Sequence, residues 1–145
     1  MPAIVKSVVV DAGPLIAVSV RRDQYHRLVV TWFREHREVL LFTTLPALTE
    51  ACHALPEPAQ VELLRRVPAG TLRLCPIEEA DMGRMADLMQ PYRDRPMDMA
   101  DASVLIAAEK LGIVDVLSVD HSDFEIYRTS KGRVLHNWLP RISRR

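Results

Sequence analysis

A short run of apolar, mostly β-branched residues near the start of the chain restricts the fold more than any other feature. Ile4–Val10 is brief and rich in valine and isoleucine, which predicts a buried strand. Asp11-Ala-Gly-Pro ends this run, and Gly13 and Pro14 indicate a turn into a helix, with Pro14 near a first-turn position. The chain is therefore expected to begin as a buried strand followed directly by a helix.

Strand and helix patterns alternate along the rest of the chain. We predict further strands over Val39–Thr43, Thr71–Leu74, Val114–Val119 and, at a sheet edge, Arg133–His136. We predict further helices over Asp23–Arg37, Pro46–Leu55, Ala59–Arg66, Glu78–Gln90 and Met99–Leu111. This alternation predicts a central parallel sheet covered by helices on both faces, which is a three-layer α/β/α sandwich. The length of 145 residues and the absence of a linker favour a single domain over residues 1–145.

Charge and cysteine content exclude several classes of protein. Lys plus Arg equals Asp plus Glu, at 19 each, which argues against a protein that coats nucleic acid by charge alone but leaves room for a local basic groove. Cys52 and Cys75 lie in apolar surroundings without a CxxC motif, so they are expected to be small core residues. The apolar run before Asp11 is short and contains Lys6, unlike a signal peptide or a membrane span. We expect a cytoplasmic protein that does not bind membranes.

Five acidic residues are placed where a site would form. Asp11 and Asp120 follow predicted strands directly, and Glu50 lies about one turn into the helix after the second strand. Asp98 and Asp101 stand at the start of the apolar helix. Because ligands of open α/β sheets bind outside the carboxyl ends of the strands, these acids are expected to converge.

Each acid also has a purely structural interpretation. Asp98 can be an N-cap with Asp101 at N3, as in a capping box, and for Asp98 this is the favoured role. The helix around Asp101 is apolar on almost every side, and a buried carboxylate costs several kcal/mol unless it is paired or bound to a metal. The helix N-terminus returns only about 0.3–1 kcal/mol of that cost, so a metal ligand is favoured for Asp101. Asp11 and Asp120 could singly cap a turn or end a strand, and Asp123 could support the site or cap a turn.

Taken as a cluster, the acids point to a divalent cation. Several carboxylates do not all stay ionised close together without one. Oxygen-only ligands select Mg²⁺ or Mn²⁺ over Zn²⁺, and such ions can assist hydrolysis of a phosphodiester. Rival sites are weak: Glu50-x-x-His53 is a single motif where a di-iron bundle needs two. We expect His53 to be a partly buried helix residue, Asp81 to be a solvated acid, and Met82, Met85, Ala86 and Met89 to face the core.

Four segments resemble the PIN-domain family in order and spacing, most of all the VapC-type toxins of bacterial toxin–antitoxin pairs. These segments are Val8–Ala17 (VVVDAGPLIA), Thr49-Glu50, Pro96–Glu109 (PMDMADASVLIAAE) and Leu117–Phe124 (LSVDHSDF). The resemblance implies a parallel α/β/α sandwich and a ribonuclease that depends on Mg²⁺ or Mn²⁺. It also implies a homodimer and a small cognate antitoxin whose tail enters the active-site groove.

Carried over by motif, the resemblance makes Asp11, Glu50, Asp101 and Asp120 the catalytic acids. Asp11, Asp101 and Asp120 would bind the metal, with help from Asp98. Many family members carry Ser, Thr or Asn two residues after the first Asp, where this chain has Gly13.

Two functions remain open at this level. The first is a metal-dependent endoribonuclease, in which Arg93 and Arg95, just before Asp98, are candidates for steering the RNA backbone. The second is a catalytically silent PIN scaffold that binds RNA or a protein partner. A phosphatase of the haloacid dehalogenase type is set aside, because Gly13 replaces its second Asp. The apolar stripe Leu28/Val29/Trp32/Phe33 could be core, or could in part be a surface for a second subunit or an antitoxin.

Overall fold

The computed structural model describes residues 5–92, 94 and 96–142. Within them, five strands form one all-parallel sheet in the order β3-β2-β1-β4-β5. The strands are β1 (Ser7–Val10), β2 (Leu40–Thr43), β3 (Arg73–Leu74), β4 (Asp115–Leu117) and β5 (His136–Asn137). The helices are α1 (Ala12–Ser19), α2 (His26–Glu35), α3 (Leu45–His53), α4 (Glu57–Arg65), α5 (Glu79–Met89), α6 (Met99–Leu111) and α7 (His121–Ile126), with a 3₁₀ turn at Gln90–Tyr92.

The central strand β1 separates two hydrophobic cores. Val9 packs into one core with α5, α6 and Phe124 of α7, while Val8 and Val10 pack into the other with α1, α2 and α3. Neighbouring side chains of a strand point to opposite faces, so both faces of β1 need a helical cover. The three-layer α/β/α arrangement predicted from the sequence is confirmed.

Helix α6 begins and ends at the residues predicted from the sequence, Met99 and Leu111. Its side chains from Ala102 to Ala108 are all fully buried. It ends at Gly112, whose φ of 69° and ψ of 31° lie in the left-handed region that glycine adopts without strain. Asp98 caps its first turn, so Asp98 and Asp101 are positioned by a well-packed helix.

Several local predictions are corrected. Helix α7 was not anticipated, and the expected edge strand Arg133–His136 lies further on, as β5. His53, expected to be partly buried, is exposed. Helix α5 buries Asp81, Met85 and Leu88, whereas Met82 and Ala86, expected inside, are exposed.

The orientation of α5 follows from an ion pair that joins it to α6. Asp81, expected on the surface, is only 6% exposed, and its carboxylate lies 2.8 Å from Lys110 Nζ. The same Nζ donates to the Pro76 carbonyl at 2.7 Å. Hydrogen bonding to Lys110 lowers the pKa of Asp81, so the buried charge is compensated. This pairing turns Asp81 inward and Met82 outward.

The apolar stripe of α2 is mostly core. Val29 is fully buried and Trp32 is 6% exposed, while Leu28 and Phe33 are half-buried. Cys75 is buried and Cys52 half-buried, both as free thiols, as expected of small core residues. Among the described residues, no helix has the length and apolar character to cross a membrane.

Candidate active site

Asp11 is the most enclosed of the candidate acids. It follows β1, its backbone N–H donates to the Leu117 carbonyl at 2.9 Å, and the residue is only 6% exposed. Its Oδ2 accepts a hydrogen bond from Ser118 Oγ at 3.0 Å. Its Oδ1 is buried and forms no hydrogen bond of normal geometry with the residues that the structure describes, although the backbone N–H of Ala12 is near the carboxylate. A buried acceptor without a partner costs about 1–3 kcal/mol. Asp11 Oδ1 is therefore a candidate to bind a ligand.

Ser118 connects Asp11 to Asp120. Its hydroxyl donates to Asp11 and accepts from the Asp120 backbone N–H at 2.9 Å. Asn137 of β5 holds the backbone of Ser118 on both sides, accepting from its N–H at 3.2 Å and donating to its carbonyl at 2.8 Å. We did not assign a role to either residue from the sequence. The available signal was a serine between apolar residues at the end of a buried strand, which has to find a polar partner.

Glu50 reaches the site from α3, whose start is fixed to its neighbours. Thr44 caps α3, accepting from the Ala47 backbone N–H at 3.2 Å, and its hydroxyl lies 2.6 Å from Ser103 Oγ of α6. Glu50 itself remains exposed. Partial loss of solvent, followed by the negative charges of Asp98 and Asp11, raises the pKa of Glu50 to about 7.

Asp98 and Asp101 form the capping box of α6. Asp98 Oδ1 accepts from the Asp101 N–H at 2.8 Å, and Asp101 Oδ2 accepts from the Asp98 N–H at 3.1 Å. Side-chain hydrogen bonds also link Asp98 to Glu50 and to Asp101. Burial, then the charges of Asp11 and Asp98, raises the pKa of Asp101 to about 8. The capping role expected for Asp98 is present, and it does not prevent either acid from also binding a cation.

The candidate acids influence one another electrostatically. Burial, and then the charges of Asp98 and Asp123, raise the pKa of Asp11, and Asp120 contributes to the shift at Glu50. Asp120 is exposed, and its Oδ1 accepts from the Asp123 N–H at 3.4 Å as the cap of α7. The structure thus brings the five acids to one edge of the sheet. Arg93 and Arg95 lie outside the described residues.

The donor set suits Mg²⁺ or Mn²⁺ in its chemistry. Oxygen ligands and raised carboxylate pKa values favour a hard cation, and Asp11 Oδ1 has no hydrogen bond of normal geometry to the described residues. As the side chains stand, however, no three or more Asp, Glu, His or Cys of residues 5–92, 94 and 96–142 are arranged to hold a metal ion. Coordination would therefore require the exposed acids to rotate toward Asp11.

Val119 fills the space where a side chain at position 13 would lie. A Cβ built on Gly13 would fall 2.3 Å from Val119 Cγ2. Many family members carry a larger residue at the position of Gly13. In this chain Val119, next to Asp120, occupies the space that such a side chain would need.

We expect Gly13→Ala to destabilise the protein by about 1–3 kcal/mol, because the added methyl group overpacks the site. Helix propensity alone predicts the opposite sign, since alanine is better than glycine in a helix by about 1 kcal/mol. Urea unfolding measures the difference. In a Val119→Ala background the clash is gone, and Gly13→Ala should become neutral or stabilising. Equal effects in both backgrounds would contradict the contact.

A large apolar groove of about 760 Å³ opens beside Glu50 and Asp98, between α3, α5 and the start of α6. Leu45, Met82 and Met99 line it while 60%, 45% and 46% exposed. Exposed apolar side chains that cluster in this way are typical of an interaction surface. A separate, smaller depression borders Asp120.

Comparisons with known proteins identify the fold. No protein-family model and no curated protein sequence matches the chain. Among solved structures, VapC20 of Mycobacterium tuberculosis, described as a toxin that cleaves the sarcin–ricin loop, superposes with a TM-score of 0.70 at 16% identity, over 80% of this chain and 93% of that one.

Two further solved structures are similar to this chain in fold. A chain of the FitAB complex, solved bound to an IR36 DNA fragment, gives a TM-score of 0.56 at 14% identity, over 81% of this chain and 88% of that one. PAE2754 from Pyrobaculum aerophilum gives 0.50 at 19% identity, over 90% and 88%. Identities this low establish shared architecture, and the fold of this chain is that of a PIN domain, as its sequence resemblance implied.

Proposed function

We propose that the chain is a metal-dependent endoribonuclease that hydrolyses RNA phosphodiester bonds, and that it is the toxin of a toxin–antitoxin pair. The observation that carries this proposal is the buried Asp11 carboxylate, one oxygen of which has no hydrogen bond of normal geometry, within a group of acids that raise one another's pKa values. Such a group is costly to a fold and is typical of functional sites. The description of VapC20 as an RNA-cleaving toxin on the same fold supports the choice of substrate.

In this proposal Asp11, Asp101 and Asp120 are the metal ligands and Asp98 assists them. Bound Mg²⁺ or Mn²⁺ supplies a water of lowered pKa and neutralises charge that develops on the phosphodiester. Ser118 orients Asp11 and the backbone of Asp120 through one hydroxyl group. Glu50 is the fourth catalytic acid, and its pKa near 7 suits a carboxylate that takes up or gives a proton at neutral pH.

The apolar groove is the proposed binding place of an antitoxin. Its exposed Leu45, Met82 and Met99 suit the apolar face of an amphipathic helix. Glu50 and Asp98 at the edge of the groove suit a basic residue of that helix. A homodimer is proposed as well, with the half-buried Leu28 and Phe33 of α2 as candidates for its surface, since Val29 and Trp32 are occupied in the core.

The proposed activity is tested with purified protein and a generic single-stranded RNA. We expect cleavage in Mn²⁺ or Mg²⁺ and none in EDTA, with restoration when metal is returned in excess. The measurement is the rate of fragment formation on a denaturing gel, with protein from a second purification route to exclude a contaminating nuclease. RNA binding without cleavage in either metal would instead favour the silent scaffold.

A further inference from the structure

The smaller depression beside the candidate acids differs in chemistry from the apolar groove. Its volume is about 340 Å³, and Tyr25, Asp120, His121 and Arg141 are among the residues that line it. The apolar groove, in contrast, has no Lys or Arg among its described lining residues. The chain thus offers an apolar surface bordered by Glu50 and Asp98 and a polar surface bordered by Asp120.

Arg141 supplies the positive charge of this depression. Its guanidinium donates to the Glu125 carboxylate of α7, and both side chains are more than half exposed. An exposed ion pair of this kind contributes little, about 0.2–1 kcal/mol, so Arg141 can exchange Glu125 for another anion at low cost. A planar guanidinium is well suited to bind the two oxygens of a phosphate.

The floor of the depression is held in place by side-chain contacts. His121 Nδ1 lies 3.2 Å from Asn137 Nδ2, and because that amide nitrogen can only donate, the neutral ring carries its proton on Nε2. His121 Nε2 is buried and forms no hydrogen bond of normal geometry with the described residues, although the Pro140 carbonyl is nearby. Asn137 also accepts from the Leu139 N–H at 3.1 Å, which fixes the chain just before Arg141.

The half-buried ring of Tyr25 completes the lining. Aromatic rings stack with unpaired bases of single-stranded nucleic acid, while arginine contacts the backbone. A phosphate donor and a stacking surface within one depression match a nucleotide better than they match the apolar face of a protein helix.

We propose that the depression formed by Tyr25, His121 and Arg141 binds one nucleotide of single-stranded RNA next to the cleaved bond, with Arg141 contacting its phosphate. This subsite rests on the proposed ribonuclease function, since Asp120 belongs both to the candidate acids and to the rim of the depression. In this proposal Arg141 guides RNA across the acids, although it lies more than 20 residues after Asp120 in the sequence.

The test is the affinity of the full chain for a short single-stranded RNA in EDTA, measured by fluorescence anisotropy at several salt concentrations. Arg141→Ala should weaken binding about tenfold, close to the lower end of the range for a hydrogen bond to a charged group, because the arginine is exposed. The slope of log affinity against log salt should fall in magnitude by about 0.7, as expected for one phosphate contact to a single strand.

Two further variants separate this role from a general effect of charge. Arg66→Ala removes an equal charge and breaks a comparable exposed pair with Glu62, but Arg66 lines neither depression, so affinity should not change. Glu125→Gln releases Arg141 from its partner and should strengthen binding about two- to fivefold.

The outcomes distinguish the subsite from the function on which it rests. If wild-type protein cleaves RNA while Arg141→Ala and Arg66→Ala bind it alike, the subsite is wrong and the proposed activity stands. If wild-type protein neither binds nor cleaves RNA, both proposals fail. Weaker binding by Arg141→Ala with an unchanged salt slope would also overturn the assignment of a phosphate contact.

Discussion

Asp101→Asn should reduce the rate of RNA cleavage at least about a thousandfold while leaving the protein folded. One ligand charge is lost, and several kcal/mol of transition-state stabilisation are at stake, with 1.36 kcal/mol for each factor of ten. The fold should survive because Asp101 contributes to the cap of α6 by accepting from the Asp98 N–H, and an asparagine oxygen can accept the same bond. The measurement is the initial rate of cleavage in Mn²⁺, with circular dichroism as the check on folding.

Asp87→Asn is the matched control for this experiment. Asp87 is an exposed acid on α5 that borders neither the groove nor the depression, so its variant should cleave at the wild-type rate. A variant at Asp101 that retains near wild-type activity in Mn²⁺ would remove this residue from the catalytic acids.

The metal-free protein should become less stable as the pH rises from about 5 to 9. The pKa values of Glu50 and Asp101 are raised in the folded state to about 7 and about 8, above the ordinary 4.5 and 3.8. Between the unfolded and folded values the folded state binds more protons, so the contribution of these groups is fully present at low pH and is lost as the pH passes 7 to 8. Thermal melts in EDTA across this range measure the effect, which should amount to a few degrees.

Mn²⁺ should reverse this loss. A ligand that binds only the folded state stabilises it by about 2.7 kcal/mol at a hundredfold excess over Kd. Asn variants of Asp11, Asp101 or Asp120 should melt in EDTA at or above the wild-type temperature and respond less to Mn²⁺. Asparagine can still accept the capping bonds of Asp101 and Asp120, whereas replacing a purely structural cap by alanine typically costs ~1 kcal/mol with or without metal. Variants that are all less stable in EDTA, with a wild-type response to Mn²⁺, would show that these acids are structural.

The layered fold could be predicted because its signals are local. The β-branched run before Asp11, the uninterrupted apolar helix Met99–Leu111 and the glycine that ends it each determine nearby backbone through propensity and burial. The acids could be placed together for the same reason, since four of them stand at the end of a strand or the start of a helix and Glu50 lies one turn further along α3. Their assignment as metal ligands stays a prediction.

The supporting contacts could not be predicted because they join residues that are far apart in the sequence. Asn137 meets Ser118 across 19 positions, and Lys110 meets Asp81 across 29. Hydrophobic periodicity therefore placed Met85 and Met89 of α5 correctly but not Met82 and Ala86, because the buried ion pair of Asp81 outweighed the exposure of one methionine. The depression at Arg141 depends on α7, which the pattern of the sequence did not indicate.

The hydroxyl of Ser118 makes the two oxygens of Asp11 unequal. It accepts from the Asp120 backbone N–H, which can only donate, and its own hydrogen is directed to Asp11 Oδ2. Oδ1 is then the oxygen left for a proton or for the proposed cation, so the two compete for one atom. Because the Ser118 hydrogen bond lowers the pKa of Asp11, replacing Ser118 by alanine should favour the proton and weaken metal binding at a given pH.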